Sequence, residues 1–218
     1  MANTKYTIAI MDEEPKERDR FVSFFENDFN VVEISFVSSV DELIDVIKSE
    51  KIDAIAIDYK LKDHKSKFKE NGDYFFKQLI SRLADFPAFV LTQDAEKAKK
   101  ESKLIKPRFI IDKTILHSNI DKEKDNFRKE VKSEIKTYKS LFTEKIKRLK
   151  TLDKIRKAKK GLDEKLENEF LNLNNEIAQS LSGYEALPLK YFSQETNKKL
   201  DEIIFKTDEL IKKISKKK

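Results

Sequence analysis

The chain has 218 residues, with 46 Lys+Arg against 40 Asp+Glu and a formal net charge of +6. It has no Cys and only two imidazoles, His64 and His117, which excludes a disulfide scaffold, a thiolate zinc site, a cysteine nucleophile and a histidine-rich metal centre. Hydrophobic and charged residues each make up 39%, enough apolar matter for a core with charge left over for long solvated helices, and Gly72, Gly161 and Gly183 lie too far apart for a glycine-rich phosphate loop.

The first apolar run is Tyr6–Met11, short, partly β-branched and closed by Asp12-Glu13-Glu14-Pro15. An unbroken apolar run of this length predicts a strand buried on both faces. Pro15 suits the first turn of a helix, and that helix carries Phe21, Phe24 and Phe25 on one face. A second strand is predicted over 31–37, then a helix over 41–49 with Leu43, Ile44 and Ile47 inward. Residues 53–58 (DAIAID) form the third strand, again ending on a carboxylate, and 72–83 a helix with Phe75, Phe76, Leu79, Ile80 and Leu83 at helical spacing. Residues 87–92 (PAFVLT) are the fourth strand, 95–104 a Lys-rich surface helix, and 108–113 (RFIIDK) the fifth strand. Five βα units with buried strands predict an α/β fold, a doubly wound parallel sheet whose site lies at the carboxyl ends of the strands.

Polar residues collect at those ends: Asp12 and Glu13 after the first strand, Asp58 on the third, Thr92 on the fourth and Lys113 on the fifth. Converging carboxylates repel and call for a counter-charge, which a hard divalent cation such as Mg²⁺ supplies through oxygen ligands. A lysine ammonium and a threonine hydroxyl could hold the oxygens of a phosphoryl group placed on one carboxylate. Taken singly, each residue also has a plain structural use. Asp12 and Glu13 would cap the first helix, Asp58 would form an Asx turn, Thr92 would end a strand and Lys113 would pair an acid. Their joint placement is what points to a site.

With these segments in view, residues 6–113 resemble the receiver domain of bacterial two-component response regulators. IAIMDEEP is similar to that family's acidic pair, IAIDYKL to its phosphoacceptor segment, NGDYFFKQL to the helix after the acceptor loop and FPAFVLTQ to its hydroxyl strand. The resemblance implies a CheY-like sheet, Asp58 as phosphoacceptor, Asp12, Glu13 and Asp58 as Mg²⁺ carboxylates, and the Lys60 backbone carbonyl as a further metal ligand. It also implies Thr92 as the switch hydroxyl and Lys113 as the phosphate-binding cation. The chain departs from the family in four places. Gly72 comes fourteen positions after Asp58 rather than about eight, so 63–70 (DHKSKFKE) read as an insertion. Gln93 replaces a small residue, and Thr114 a proline. Ile110 stands at the aromatic switch position, with Phe109 beside it on the opposite parity. His64 reads as a loop residue.

Beyond residue 117 the pattern changes. Residues 1–117 hold 20 Lys+Arg and 22 Asp+Glu, residues 118–218 hold 26 and 18, and this shift predicts a boundary between a receiver-like domain (1–117) and a basic helical region (118–218). Phe127, Val131, Ile135, Tyr138, Phe142, Ile146, Leu149 and Leu152 step by three or four, a coiled-coil-like stripe on one helix from about 120 to 159. Gly161 is its expected stop. A second helix follows with Leu162, Leu166, Phe170, Leu173, Ile177 and Leu181, closed by Gly183. After a looped stretch over 182–193, a third helix begins near Gln194. Lys145–Lys160 carries nine Lys/Arg against Asp153 alone. No helix-turn-helix spacing appears there, and a solvated helix face is the simpler reading.

The function expected from this reading is a signalling protein that accepts a phosphoryl group on Asp58 with Mg²⁺ and relays the change to a helical output region. Its partners would be a histidine kinase or phosphotransfer protein, and the helical region could form a homodimer. It would not be an enzyme beyond accepting the phosphoryl group. The alternative is a pseudo-receiver serving as a docking or assembly module, and a third reading is a nucleic-acid binder using Lys145–Lys160. No apolar run reaches the roughly 20 residues of a membrane span, and the N-terminus lacks a signal-peptide pattern, so a cytoplasmic location is expected.

Overall fold

The computed structural model describes residues 5–62, 67–101, 105–159, 162–182, 203 and 205–207. His64, Gly161, Gly183, the looped stretch beyond Ser182 and nearly all of the expected third helix lie outside them. The chain divides into two compact units, one from Thr4 to Tyr138 and the other from Lys139 onward.

In the first unit the elements alternate: β1 (Tyr6–Met11), α1 (Pro15–Phe25), β2 (Phe29–Ile34), α2 (Val40–Ser49), β3 (Ala54–Asp58), α3 (Gly72–Arg82), β4 (Ala88–Thr92), α4 (Ala95–Glu101), β5 (Ile110–Asp112) and then the part of α5 (Asp121–Lys159) up to Tyr138. The five strands form one parallel sheet in the order β2-β1-β3-β4-β5. This is the flavodoxin/CheY-like order, whose chain reverses direction across the sheet between β1 and β3.

Strand side chains alternate between two buried layers. Ala9, Met11, Ile55, Ile57 and Val90 face one core with α2 and α3, while Ile8, Ile10, Ala54, Ala56 and Phe89 face the other with α1 and the start of α5. Both faces are covered, so the strands read as continuous apolar runs rather than alternating ones. On the second face Phe127 of α5 meets the rings of Phe24, Phe25 and Phe89 at 6.0, 5.8 and 6.2 Å, and Val131 and Ile135 are fully buried.

Three expectations shift. The second strand spans 29–34 rather than 31–37, because Ser39 leaves the sheet to cap α2 by accepting from the Glu42 backbone N–H at 3.2 Å. The fifth strand keeps only Ile110–Asp112. Pro107–Phe109 before it and Lys113–His117 after it are 3₁₀ turns. Pro107 has a fixed φ and no N–H to give a ladder, which suits a turn better than a strand. The boundary expected at 117/118 falls within α5 instead, between Tyr138 and Lys139.

That last shift explains why a single coiled-coil seam is not what the apolar stripe forms. Phe127, Val131 and Ile135 belong to the sheet's core, whereas Ile146, Leu149 and Leu152 pack with Phe170 and Ile177 of α6 (Glu164–Ser182) in the second unit. The second unit is laced on its surface by Arg148, whose Nε and Nη2 donate to Glu169 at 2.6 and 2.7 Å, and by Lys145 to Glu176 at 3.1 Å. Among the described residues, no helix is long and apolar enough to cross a membrane.

Candidate functional site

Met11 and Ile57 are register partners on β1 and β3, so Asp12 and Asp58 each stand one step beyond that pair, at the carboxyl edge of the sheet where the strand order reverses. On the next strand Asp58 pairs with Leu91, which places Thr92 one step further along. Thr92 in turn pairs with Asp112 of β5, and Lys113 follows it. The sheet register alone therefore gathers Asp12, Asp58, Thr92 and Lys113 at one edge, and all four are buried.

Lys113 closes the group. Its Nζ lies 2.9 Å from Asp12 Oδ2 and 2.5 Å from Asp58 Oδ1. The other aspartate oxygens accept backbone donors, Asp12 Oδ1 from the Glu14 N–H at 2.9 Å and Asp58 Oδ2 from the Lys60 N–H at 2.8 Å. Thr92 Oγ1 accepts the Asp94 N–H at 3.3 Å, and Gln93 is exposed beside it. Arg18 donates to the Asp12 carbonyl at 2.8 Å and so fixes the turn out of β1.

The charges are unevenly matched. Burial pushes the Asp58 carboxyl above the ordinary range, with Asp12 adding repulsion and Lys113 opposing both. Glu13 is raised to about 7, first by burial and then by the neighbouring Asp12 and Asp58 carboxylates, and its Oε2 is buried with no hydrogen-bond partner. Burial works against the Lys113 ammonium, but the attraction of Asp58 and Asp12 outweighs it and the pKa rises. Three carboxylates share one cation, and an orphaned carboxylate oxygen remains.

An added hard cation such as Mg²⁺ fits this chemistry: the donors are carboxylate oxygens, and the cluster is short of positive charge. The spacing is a different matter. Among the described residues no three His, Cys, Asp or Glu side chains stand so as to hold a metal ion. Lys113 occupies the place between Asp12 and Asp58 that such an ion would share. The structure thus brings Asp12, Asp58, Thr92 and Lys113 together and sets Glu13 within their electrostatic reach. Lys60 contributes its N–H to Asp58.

Two residues essential to this geometry carry only a faint mark in the sequence. Gly72 begins α3 directly against the end of β3, its N–H donating to the Tyr59 carbonyl at 3.0 Å. A Cβ at Gly72 would lie 1.8 Å from the Asp58 carbonyl oxygen, so no other residue fits without moving the strand end or the helix. The insertion lengthens the path from Asp58 to Gly72 and leaves this contact in place. Phe68, within the insertion, is buried and meets the rings of Phe36 and Phe75 at 5.2 and 5.8 Å. An apolar residue among lysines, in KSKFKE, is the signal that marks it.

No family model matches the sequence, and no curated protein matches it. Solved structures do resemble the fold. The anti-anti-sigma factor PhyR from Bartonella quintana matches at 15% identity and a TM-score of 0.46 over 66% of this chain and 52% of its own, so the match spans about half of that protein. A structure described as adenylate cyclase from Rhodopirellula baltica matches at 16% identity and a TM-score of 0.44, over 64% of this chain and 94% of its own. A response regulator receiver domain protein from Clostridium thermocellum matches at 17% and 0.42, over 62% and 98%. The assignment of a receiver-like fold with a helical extension rests on strand order, register and the helices on both faces of the sheet.

Proposed function

We propose that this chain is a phosphoacceptor signalling protein in which Asp58 takes a phosphoryl group from a partner's phosphohistidine. The observation that carries this reading is the buried bridge of Lys113 between Asp12 and Asp58, with the Thr92 hydroxyl on the adjoining strand. The Asp58 carboxylate is the nucleophile. Its oxygen forms the bond to phosphorus as the phosphorus–nitrogen bond of the donor breaks, and the freed imidazole carries the electron pair and takes up a proton. Lys113 already lies against Asp58 and would hold a phosphoryl oxygen, with Thr92 holding another. Asp12, Glu13 and Asp58 do not stand so as to hold an ion while Lys113 lies between the two aspartates. With Lys113 drawn away their carboxylates would be left to hold Mg²⁺, which when bound would neutralise charge on the transferring group. Asp58 would be a stoichiometric acceptor rather than a turnover catalyst.

In this reading the loss of Asp58 charge and the movement of Lys113 and Thr92 toward the phosphoryl group alter the β4–β5 face, and the helical unit is the output, acting through self-association or partner binding. A second reading, a docking module that is never phosphorylated, draws on the arrangement in which Lys113 rather than three carboxylates defines the centre. Incubation with a small phosphodonor and Mg²⁺, read by intact mass, separates the two. A gain of one phosphoryl mass that is lost in Asp58→Asn supports the acceptor. No gain, in protein whose sheet unit is folded by hydrogen exchange, supports the docking module.

A further inference from the structure

Two surfaces of the sheet unit carry opposite charges that the unit itself leaves unpaired. The first is a groove of about 570 Å³ beside the edge strand β5, walled by the turn after it and by α5. Ile111, Ile115 and Phe127 give it an apolar lining, and Asp112, Glu123 and Glu130 stand around it. Glu123 and Glu130 are exposed and Asp112 partly so. Asp112 accepts the Thr114 N–H at 2.8 Å and Glu123 the Ser118 hydroxyl at 2.9 Å, and among the described residues none of the three carboxylates pairs with a Lys or Arg. No Lys or Arg lines the groove. Its size and apolar lining are those of a ligand site.

The second surface lies toward the other edge of the sheet, where Phe36 follows the edge strand β2 and the insertion follows β3. Phe36 and Tyr74 are 38% and 42% exposed, and among the described residues they are the large aromatic side chains that stand out from the sheet unit. The Phe36 ring meets Phe68 at 5.2 Å, the Tyr74 ring meets Phe75 at 5.7 Å, and Phe68 and Phe75 meet each other at 5.8 Å. Asn71 Oδ1 accepts the Lys62 N–H at 3.1 Å and so holds the start of the insertion at the head of α3. Lys60, Lys62, Lys67 and Lys69 are exposed, and none of their ammonium groups has a carboxylate partner among the described residues. The one described carboxylate of 59–72 is Glu70.

We infer that these two surfaces meet between copies of the chain, the Phe36–Tyr74 face of one molecule seating in the β5–α5 groove of the next. Three observations select a second copy as the occupant. First, the charges complement: unpaired carboxylates surround the groove, and unpaired lysines surround the aromatic face. Second, both halves have the build of an interface, an apolar or aromatic centre within a charged rim, and one is hollow where the other presents exposed rings. Third, every molecule carries both halves, toward opposite edges of one sheet. A contact of this kind is head-to-tail. It leaves one free surface of each sort at the ends, and so extends to further copies rather than closing as a symmetric dimer.

The inference is independent of phosphorylation at Asp58. It is tested on the full chain by sedimentation velocity at about 1 to about 500 μM, the range of weak association. Self-association is expected to pass beyond the dimer as concentration rises, and to weaken as salt rises from about 50 to about 200 mM. Lys67→Glu with Lys69→Glu sets acid against acid, and Glu123→Lys with Glu130→Lys sets base against base. Each pair of reversals is expected to weaken association about tenfold or more. Asp112 is left unchanged because it caps the turn that carries Lys113. The variant with all four reversals exchanges the signs and regains association, and so does a mixture of the two pair variants. A chain that failed to fold would not regain it. A chain that stays monomeric throughout assigns the groove a foreign occupant and overturns the proposal. Association that neither pair alters, loss in one pair alone, or loss in both with no recovery in the fourfold variant would each overturn it as well.

Discussion

In the sheet unit Lys113 lies between Asp12 and Asp58 with all three side chains under a tenth exposed, while in the helical unit Arg148 meets Glu169 with the two side chains 44% and 37% exposed. Both are ion pairs within hydrogen-bond distance, and their consequences are opposite. The first has left water behind and is poorly neutralised, three carboxylates to one ammonium. The second remains solvated and serves mainly to orient α6 on α5. Residue type and distance alone do not separate a site from a surface pair; burial and charge imbalance do.

The largest effect that tests this contrast is removal of one cation from each unit. Lys113→Met leaves Asp12 and Asp58 buried against each other and is expected to cost about 3–5 kcal/mol in urea unfolding. Arg148→Met is expected to leave the urea midpoint unmoved, because its pair is screened by solvent. A small effect for Lys113→Met would mean that the cluster is hydrated and the contrast is lost.

The orphaned polar atoms sharpen the comparison at a smaller scale. In the sheet unit two carboxylate oxygens are orphaned, Glu17 Oε2 on α1 and Glu13 Oε2 beside the Asp12–Asp58–Lys113 cluster. In the helical unit the orphans include Asn174 Oδ1, on the α6 face that also carries Phe170 and Ile177, and Asn174 is buried. Among the described residues Asn174 Oδ1 finds no hydrogen-bond partner, so its desolvation is a cost. Asn174→Leu is expected to raise the free energy of amide exchange in α6 by about 1 kcal/mol. A decrease would instead identify Asn174 as a residue that fixes helix register at the expense of stability.

The same contrast governs what could be read from the sequence. The strands were legible because both faces of the sheet are covered, leaving unbroken runs such as IAIM and AIAID. The gathering of Asp12, Asp58, Thr92 and Lys113 was legible because parallel strands in this order bring their carboxyl ends to one edge. The arrangement inside that edge was not. Whether Lys113 or an ion sits between the aspartates is decided by side-chain contacts that spacing does not encode. The α5 stripe misled for a related reason. Steps of three and four report a buried helix face, and they are blind to whether its first part packs on Phe24 and Phe25 and its later part on Phe170. Gly72 stood out only as a displaced glycine, since its close approach to the Asp58 carbonyl is a tertiary fact.

The smallest effect at neutral pH concerns Tyr138, the last residue of the sheet unit. Its ring meets Phe86 at 5.7 Å, and burial, with the Asp85 carboxylate adding repulsion, raises its hydroxyl to about 12. The folded pKa lies above the value near 10 of an unfolded tyrosine. The neutral phenol therefore contributes stability in full below pH about 10, and this contribution fades as pH rises toward about 12. Absorbance titration should show a late-ionising tyrosine that disappears in Tyr138→Phe, while the two proteins unfold alike at neutral pH. The alkaline loss of stability should be shallower in Tyr138→Phe. A Tyr138 that titrates near 10 would mean that this end of the sheet unit is open to water, and that burial marks the boundary between the units less sharply than the packing of Phe86 and Tyr138 indicates.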